Sequence, residues 1–236
     1  VYRGNNYLKK RQLDKALKDV NRALELNPND VFARCVRGDV YRSKGENEKA
    51  LMDLNKALEL DPDDAYALAL RGDVYGDLGE YEKALMDVNK ALALDPDDVS
   101  ARCVRGDVYK EKREYEKALI DFNKAIELDP NDVSARCVRG DVYEEKGEYE
   151  KALTDFDKAI ELNPNYAYAL AGRGDVYRSK GEYKKALIDL NKAIESAPND
   201  VDILAIRDEV QKELAQASEG ANTMDARTPS SSGPRR

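Results

Sequence analysis

An all-α solenoid of stacked helix pairs is the fold this sequence predicts, and three observations predict it. One proline recurs at a fixed step: Pro28, Pro62, Pro96, Pro130, Pro164 and Pro198 are each 34 residues apart. Gly4, Gly38, Gly72, Gly106, Gly140 and Gly174 keep the same step, as do Tyr7, Tyr41, Tyr75, Tyr109, Tyr143 and Tyr177. Two alanine series, from Ala16 to Ala186 and from Ala23 to Ala193, follow the same period. A period of this size is the mark of a repeat architecture, in which each unit buries its apolar face on its neighbour.

Residues 65–98 show how one unit works. Asp64 is a natural N-cap for a first helix from about Tyr66 to Leu78, and Gly79 suits the left-handed residue just past its end. A second helix, from about Glu82 to Leu94, must stop before Asp95-Pro96, because a residue preceding proline is disfavoured in the α region. Leu68, Gly72 and Tyr75 share one face of the first helix, and Ala84, Val88 and Ala91 share one face of the second. Gly72, Ala84 and Ala91 are small enough to let the helices approach closely. Neither helix can bury its stripe alone.

These positions carry a family resemblance. The 34-residue period, with Gly-x-x-Tyr, Ala-x-x-x-Phe/Leu-x-x-Ala and the closing Pro, resembles the tetratricopeptide repeat over residues 1–200. The resemblance implies antiparallel helices A and B stacked into a right-handed superhelix, with the A helices lining a concave groove. The units are 1–30 (a truncated first repeat starting inside helix A), 31–64, 65–98, 99–132, 133–166 and 167–200. Three features depart from the family pattern. Arg34, Arg102 and Arg136 stand where a large apolar residue is usual, and the residue before the packing glycine is Arg in every unit. The turn glycine is replaced by Arg11 and Arg113. Residues 201–217, with Ile203, Ile206, Val210 and Leu214 on one stripe, read as a capping helix. Residues 218–236 lack any apolar period and read as a disordered tail.

Composition excludes several classes of function. The chain of 236 residues has 39 Lys and Arg against 47 Asp and Glu, a net charge of −8, with a mean hydropathy of −0.74. Without a single histidine it has no imidazole base, no Ser-His or Cys-His pair and no His-ligated metal. An acidic balance argues against nucleic-acid binding, which draws on clustered Lys and Arg. No apolar run approaches a membrane span. No cofactor and no catalytic constellation is expected. Cys35, Cys103 and Cys137 share one repeat position, too far apart for a disulfide at helix-packing distances, so they fit a cytoplasmic or other reducing intracellular compartment.

Three motifs read as structure. Arg-Gly-Asp recurs five times, but a helix sets its Arg and Asp about 200° apart, with the glycine packed. The Asp-Pro-Asp-Asp runs at 61–64 and 95–98 lack the glutamate a calcium loop needs and read as turns and N-caps. Lys49 with Asp53, Lys83 with Asp87 and Lys117 with Asp121 read as i, i+4 pairs on a solvated convex face.

The candidate site is a second aspartate series. Asp39, Asp73, Asp107, Asp141 and Asp175 each follow the packing glycine and point away from the core within their repeat. With Asp77, Lys110, Glu111, Glu144 and Glu145 they form an acidic stripe, flanked by Arg42 and Arg178. The resemblance places these positions in the ligand groove; the competing reading is a structural ladder paired to Arg105-type neighbours. Chaperone-tail binders of the family clamp a carboxylate with Lys, Asn and Arg. Here Asp replaces that Asn in every unit but the first, which keeps Asn5, and an acidic ladder repels a carboxylate. The expected function is a protein-interaction scaffold for a Lys- or Arg-containing segment, with Asp73, Asp107 and Asp141 as the principal contacts. Val104 and Val138 either add apolar contact or pack internally. Two alternatives stand beside it: a solenoid that self-assembles end to end, and the targeting arm of a larger protein with its catalytic part elsewhere.

Overall fold

The computed structural model describes the backbone of residues 6–225 and the side chains of residues 12–218, and every element among them is an α-helix. The helices are α1 (Asn6–Leu26), α2 (Val31–Ser43), α3 (Asn47–Leu60), α4 (Ala65–Asp77), α5 (Tyr81–Leu94) and α6 (Val99–Glu111). They continue with α7 (Tyr115–Leu128), α8 (Val133–Glu145), α9 (Tyr149–Leu162), α10 (Ala167–Ser179), α11 (Tyr183–Ser196) and α12 (Val201–Asp225). The chain is an all-α helical repeat solenoid. Helices α1–α9 form one compact unit and α10–α12 a second.

Local chemistry sets the helix ends. Asp30, Asp64, Asp98 and Asp132 each accept a hydrogen bond from the backbone N–H three residues on, at 2.7–3.1 Å, and so cap α2, α4, α6 and α8. The Asp-Pro-Asp-Asp runs are therefore turns and caps. Past the A helices, Gly45, Gly79, Gly147 and Gly181 adopt φ near +74°, the left-handed conformation that reverses the chain into helix B. Arg113 holds the same conformation at φ +59° without being glycine.

Packing then fixes each pair. A Cβ at Gly72 would lie 2.6 Å from Val88 Cγ1, and one at Gly106 would lie 2.8 Å from the Phe122 ring. Helices A and B therefore touch through a backbone surface, and only glycine fits. Val88, Phe122, Phe156 and Leu54 are fully buried on these contacts, each contributing about 1.5–3 kcal/mol. In the first unit the A helices α2, α4, α6 and α8 also pack on one another, whereas the B helices α3, α5, α7 and α9 do not. Closer spacing on the A side makes it the inner, concave row.

Two expectations need correction. Arg11 does not mark a turn: α1 runs through it, so the described part of the first repeat holds one helix rather than a pair. A non-glycine residue resists the left-handed turn by about 1–2 kcal/mol; at Arg113 the packing of α6 on α7 offsets that cost. The capping helix does not stop at 217 either, because α12 continues to Asp225. Residues 218–225 of the expected tail are therefore helical, and its remainder, 226–236, lies outside the described residues.

Candidate functional site

The five arginines before the packing glycines belong to a buried ladder. Arg71 Nε and Nη2 donate to the two carboxylate oxygens of Asp87 at 2.7 and 2.9 Å, while Nη1 reaches Asn55 Oδ1 at 2.8 Å. Arg37, Arg105, Arg139 and Arg173 make the same bidentate pair with Asp53, Asp121, Asp155 and Asp189. These aspartates are at most 4% exposed. The reading of Asp53, Asp87 and Asp121 as partners of lysines on a solvated face is thus wrong. The aspartates turn inward to the arginines, while Lys49, Lys83 and Lys117 pair with Glu46, Glu80 and Glu114 and lie 5.2–5.4 Å from the tyrosine rings of helix A. Arg102 adds to the cluster, donating to Pro96 O at 2.5 Å and standing 3.6 Å from Asp121. The arginines that depart from the family pattern therefore fill their places through ion pairs. Two of the three Arg-Gly-Asp residues are thereby structural: the arginine is tied to helix B and the glycine is packed.

The second aspartate series faces the other way. Asp39, Asp73, Asp107 and Asp141 lie on α2, α4, α6 and α8, half-buried along the concave row of the first unit. For Asp39 and Asp73 the ion-pair partner is not an Arg105-type residue. Arg42, on α2, bridges those two instead: it lies 3.7 Å from Asp39, 2.9 Å from Asp73 and 3.2 Å from Asp77. Lys110, on α6, is the equivalent cation two repeats on. Burial would lower its pKa, but Asp141, Asp107, Glu111 and Glu145 together hold it above its ordinary value. Glu145 and Glu111 are exposed, and Glu144 half-buried on α8. In the second unit, Arg178 bridges Asp175 at 3.4 Å, Glu209 at 3.1 Å and Glu213 at 3.0 Å. Arg42 and Arg178 thus sit within acidic clusters rather than beside them.

Electrostatics mark Asp73 and Asp107. Burial pushes the Asp73 carboxyl up to about 6, with Arg42 opposing and Asp77 and Asp39 adding to the rise. Burial likewise pushes Asp107 up to about 7; Lys110 opposes this, and Asp73, Asp141 and Glu111 reinforce it. Asp175 is raised by burial despite Arg178. Aromatic rings share the row: Phe32 and Tyr66 stack at 6.4 Å and are 69% and 43% exposed. Sequence reasoning missed this pair, although both occupy the second position of helix A. Val138 packs inward on the cluster of Ala118, Phe122 and Val142, so its place is internal.

Of the thiols, Cys35 and Cys137 are fully buried and Cys103 partly so, and all three are free. Burial raises each thiol, Cys35 to about 12, which leaves them unreactive. Among the described residues no group of acids and cysteines is placed to hold a metal, and no helix is long and apolar enough to cross a membrane.

Comparison with known proteins agrees with this architecture. Models of the TPR repeat match residues 38–79, 72–112, 106–147 and 140–177, and a tetratricopeptide repeat model matches 1–30 and 167–200. No curated protein sequence matches the chain. Among solved structures, a tetratricopeptide repeat protein from Parabacteroides merdae is 27% identical at a TM-score of 0.73, over 88% of this chain and 81% of its own. YrrB, described as a TPR protein with an unusual peptide-binding site, is 30% identical at a TM-score of 0.55, over 80% of this chain and 97% of its own. A thermophilic TPR protein of Thermus thermophilus is 24% identical at a TM-score of 0.68, over 78% of this chain and 99% of its own. With family models spanning most of its length, the chain belongs to the tetratricopeptide repeat family.

Proposed function

We propose that this protein is a non-catalytic interaction scaffold whose concave acidic row, in the unit α1–α9, binds a Lys- or Arg-bearing segment of another protein. The observation that carries the reading is the placement of Asp73, Asp107 and Asp141 along the inner helices, on a different side of the A helices from the buried Arg–Asp ladder. The family's general role in protein interaction supports it, and so does the peptide-binding site printed for YrrB. A cationic partner gains from this field in on-rate and specificity. The net charge of −8 argues against nucleic acid, and three free thiols fit a reducing compartment.

The test is a triple substitution, Asp73→Asn, Asp107→Asn and Asp141→Asn, compared with wild type against partners isolated on the native chain. Affinity should fall at least tenfold, and its salt dependence should flatten. A triple variant that melts like wild type and binds equally well would refute the acidic row as the binding face. Light scattering over a concentration series separates self-assembly from this reading.

A further inference from the structure

The concave row carries an internal template for cation binding. Arg42 contacts carboxylates 31 and 35 residues further on, Asp73 and Asp77. Arg178 does the same with Glu209 and Glu213, and Lys110 feels Asp141 and Glu145 at the same two offsets. Two arginines at one repeat position thus bind acids at two fixed places on a following helix, and a lysine at the same position, paired with Glu111 at 3.5 Å, feels acids at both places. Between them stands Gly76. Its counterparts are Asp107 and Glu111, and Asp73 occupies its own helix as Asp39 does for Arg42. Both acids are present, but the side chain that should bridge them is missing.

Three further facts bear on this gap. A Cβ at Gly76 would meet only Val108 Cγ2, at an ordinary 3.5 Å, so packing does not require glycine there. Asp107 forms no salt bridge within 4 Å among the described residues, whereas Asp39 and Asp73 are both reached by Arg42. Independently, the exposed Phe32–Tyr66 stack lies on the same row. Tyr66 and Asp73 are seven residues apart on α4, almost in line and about 10 Å along the axis. Three residues of extended chain cover that distance.

We propose that the notch at Gly76 receives an arginine or lysine of the partner, which completes the cation series on Asp73, Asp107 and Glu111 while an apolar residue about three positions away packs on Phe32 and Tyr66. The inference rests on the acidic-row reading and narrows it to one anchor. The chain holds its own cation at alternate repeats; of the two positions without one, Gly76 faces both acids, while Glu144 is itself acidic and is followed by Asp175 but by Ser179 in the second place. A guanidinium suits the place best, because its planar fork can engage two carboxylates at once, as Arg42 does.

The experiment selects displayed random 12-residue peptides on the full chain, then measures the best synthetic peptide against four proteins: wild type, Gly76→Ala, Gly76→Arg and the triple Asp→Asn variant. Wild type should enrich peptides with Arg or Lys and an apolar residue three places away. Gly76→Ala should bind them unchanged. Gly76→Arg fills the notch from within and should weaken binding tenfold or more while melting no lower than wild type. If Gly76→Arg binds like Gly76→Ala while the triple variant fails, the notch is refuted and the acidic row stands. If the triple variant binds like wild type, both ideas fall. Selection of peptides without a basic residue, or of none, also overturns both.

Discussion

Two aspartate series run through this molecule with the same 34-residue step, and they do opposite things. Asp53, Asp87, Asp121, Asp155 and Asp189 are buried, and each is gripped by an arginine of the same repeat. Asp39, Asp73, Asp107, Asp141 and Asp175 are half-buried, and the position that supplies their cation changes from unit to unit: Arg42, Gly76, Lys110, Glu144, Arg178. The difference teaches how to separate structure from recognition in a repeat protein. A structural pair must close within every unit, since an unpaired buried carboxylate is costly. A recognition row tolerates variation, because solvent or a partner can supply what the unit omits.

The strongest way to break the comparison is to open the buried series. Arg105→Ala leaves Asp121, 1% exposed, with only Arg102 at 3.6 Å. Loss of about 3 kcal/mol is expected in urea unfolding, against little or no loss for Asp107→Asn. Equal losses would erase the distinction between the two series. Next in size is Gly106→Ala. Its Cβ would press on a fully buried Phe122 ring at 2.8 Å, and overpacking of this kind costs about 1–3 kcal/mol. Gly76→Ala, whose Cβ would meet Val108 Cγ2 at an ordinary 3.5 Å, should cost nothing.

A pH series sharpens the contrast. The folded state raises Asp107 to about 7, through burial and through Asp73 and Asp141 on the flanking helices with Glu111 on its own, against Lys110. The folded form therefore binds this proton more tightly than the unfolded form, and its contribution to stability is largest in acid. That contribution falls as pH rises from about 4 to 7. Measured as melting temperature, wild type minus Asp107→Asn should decline across this range; a flat difference would show that Asp107 titrates normally. Binding of a cationic peptide should run the other way and tighten as pH passes 6 to 7. A small gain is expected at the turn of the fourth repeat. Arg113→Gly relieves φ +59° and should add about 0.5–1 kcal/mol, the part of the left-handed penalty that glycine's own entropy does not take back.

The two arginines that replace turn glycines extend the lesson. Arg11 and Arg113 are the same change at the same repeat position, yet α1 runs through the first and the chain reverses at the second. Around Arg113, Ala118 and Phe122 of α7 are fully buried in a cluster with Val142 of α8, and Tyr109 of α6 packs against it. The shared core between A and B helices makes the turn worthwhile. Local sequence offers a penalty in both cases; only packing decides whether it is overcome.

Sequence by itself determined the repeat, the helix boundaries of the unit 65–98 within a residue or two, the packing role of Gly72 and its equivalents, and the caps at Asp64 and Asp98. Each of these is a local rule repeated in register, and repetition makes a weak local signal strong. Sequence also placed Asp73, Asp107 and Asp141 away from the core, because helical geometry alone sets that angle. Tertiary structure decided which aspartate met which arginine. Asp87 lies four residues from Lys83 and sixteen from Arg71, and no local rule prefers the distant partner. Burial does, since a desolvated carboxylate gains most from a bidentate guanidinium. The same holds for Arg42, whose partners lie on the next helix, and for Gly76, whose missing side chain has meaning only beside the cations that flank it in space.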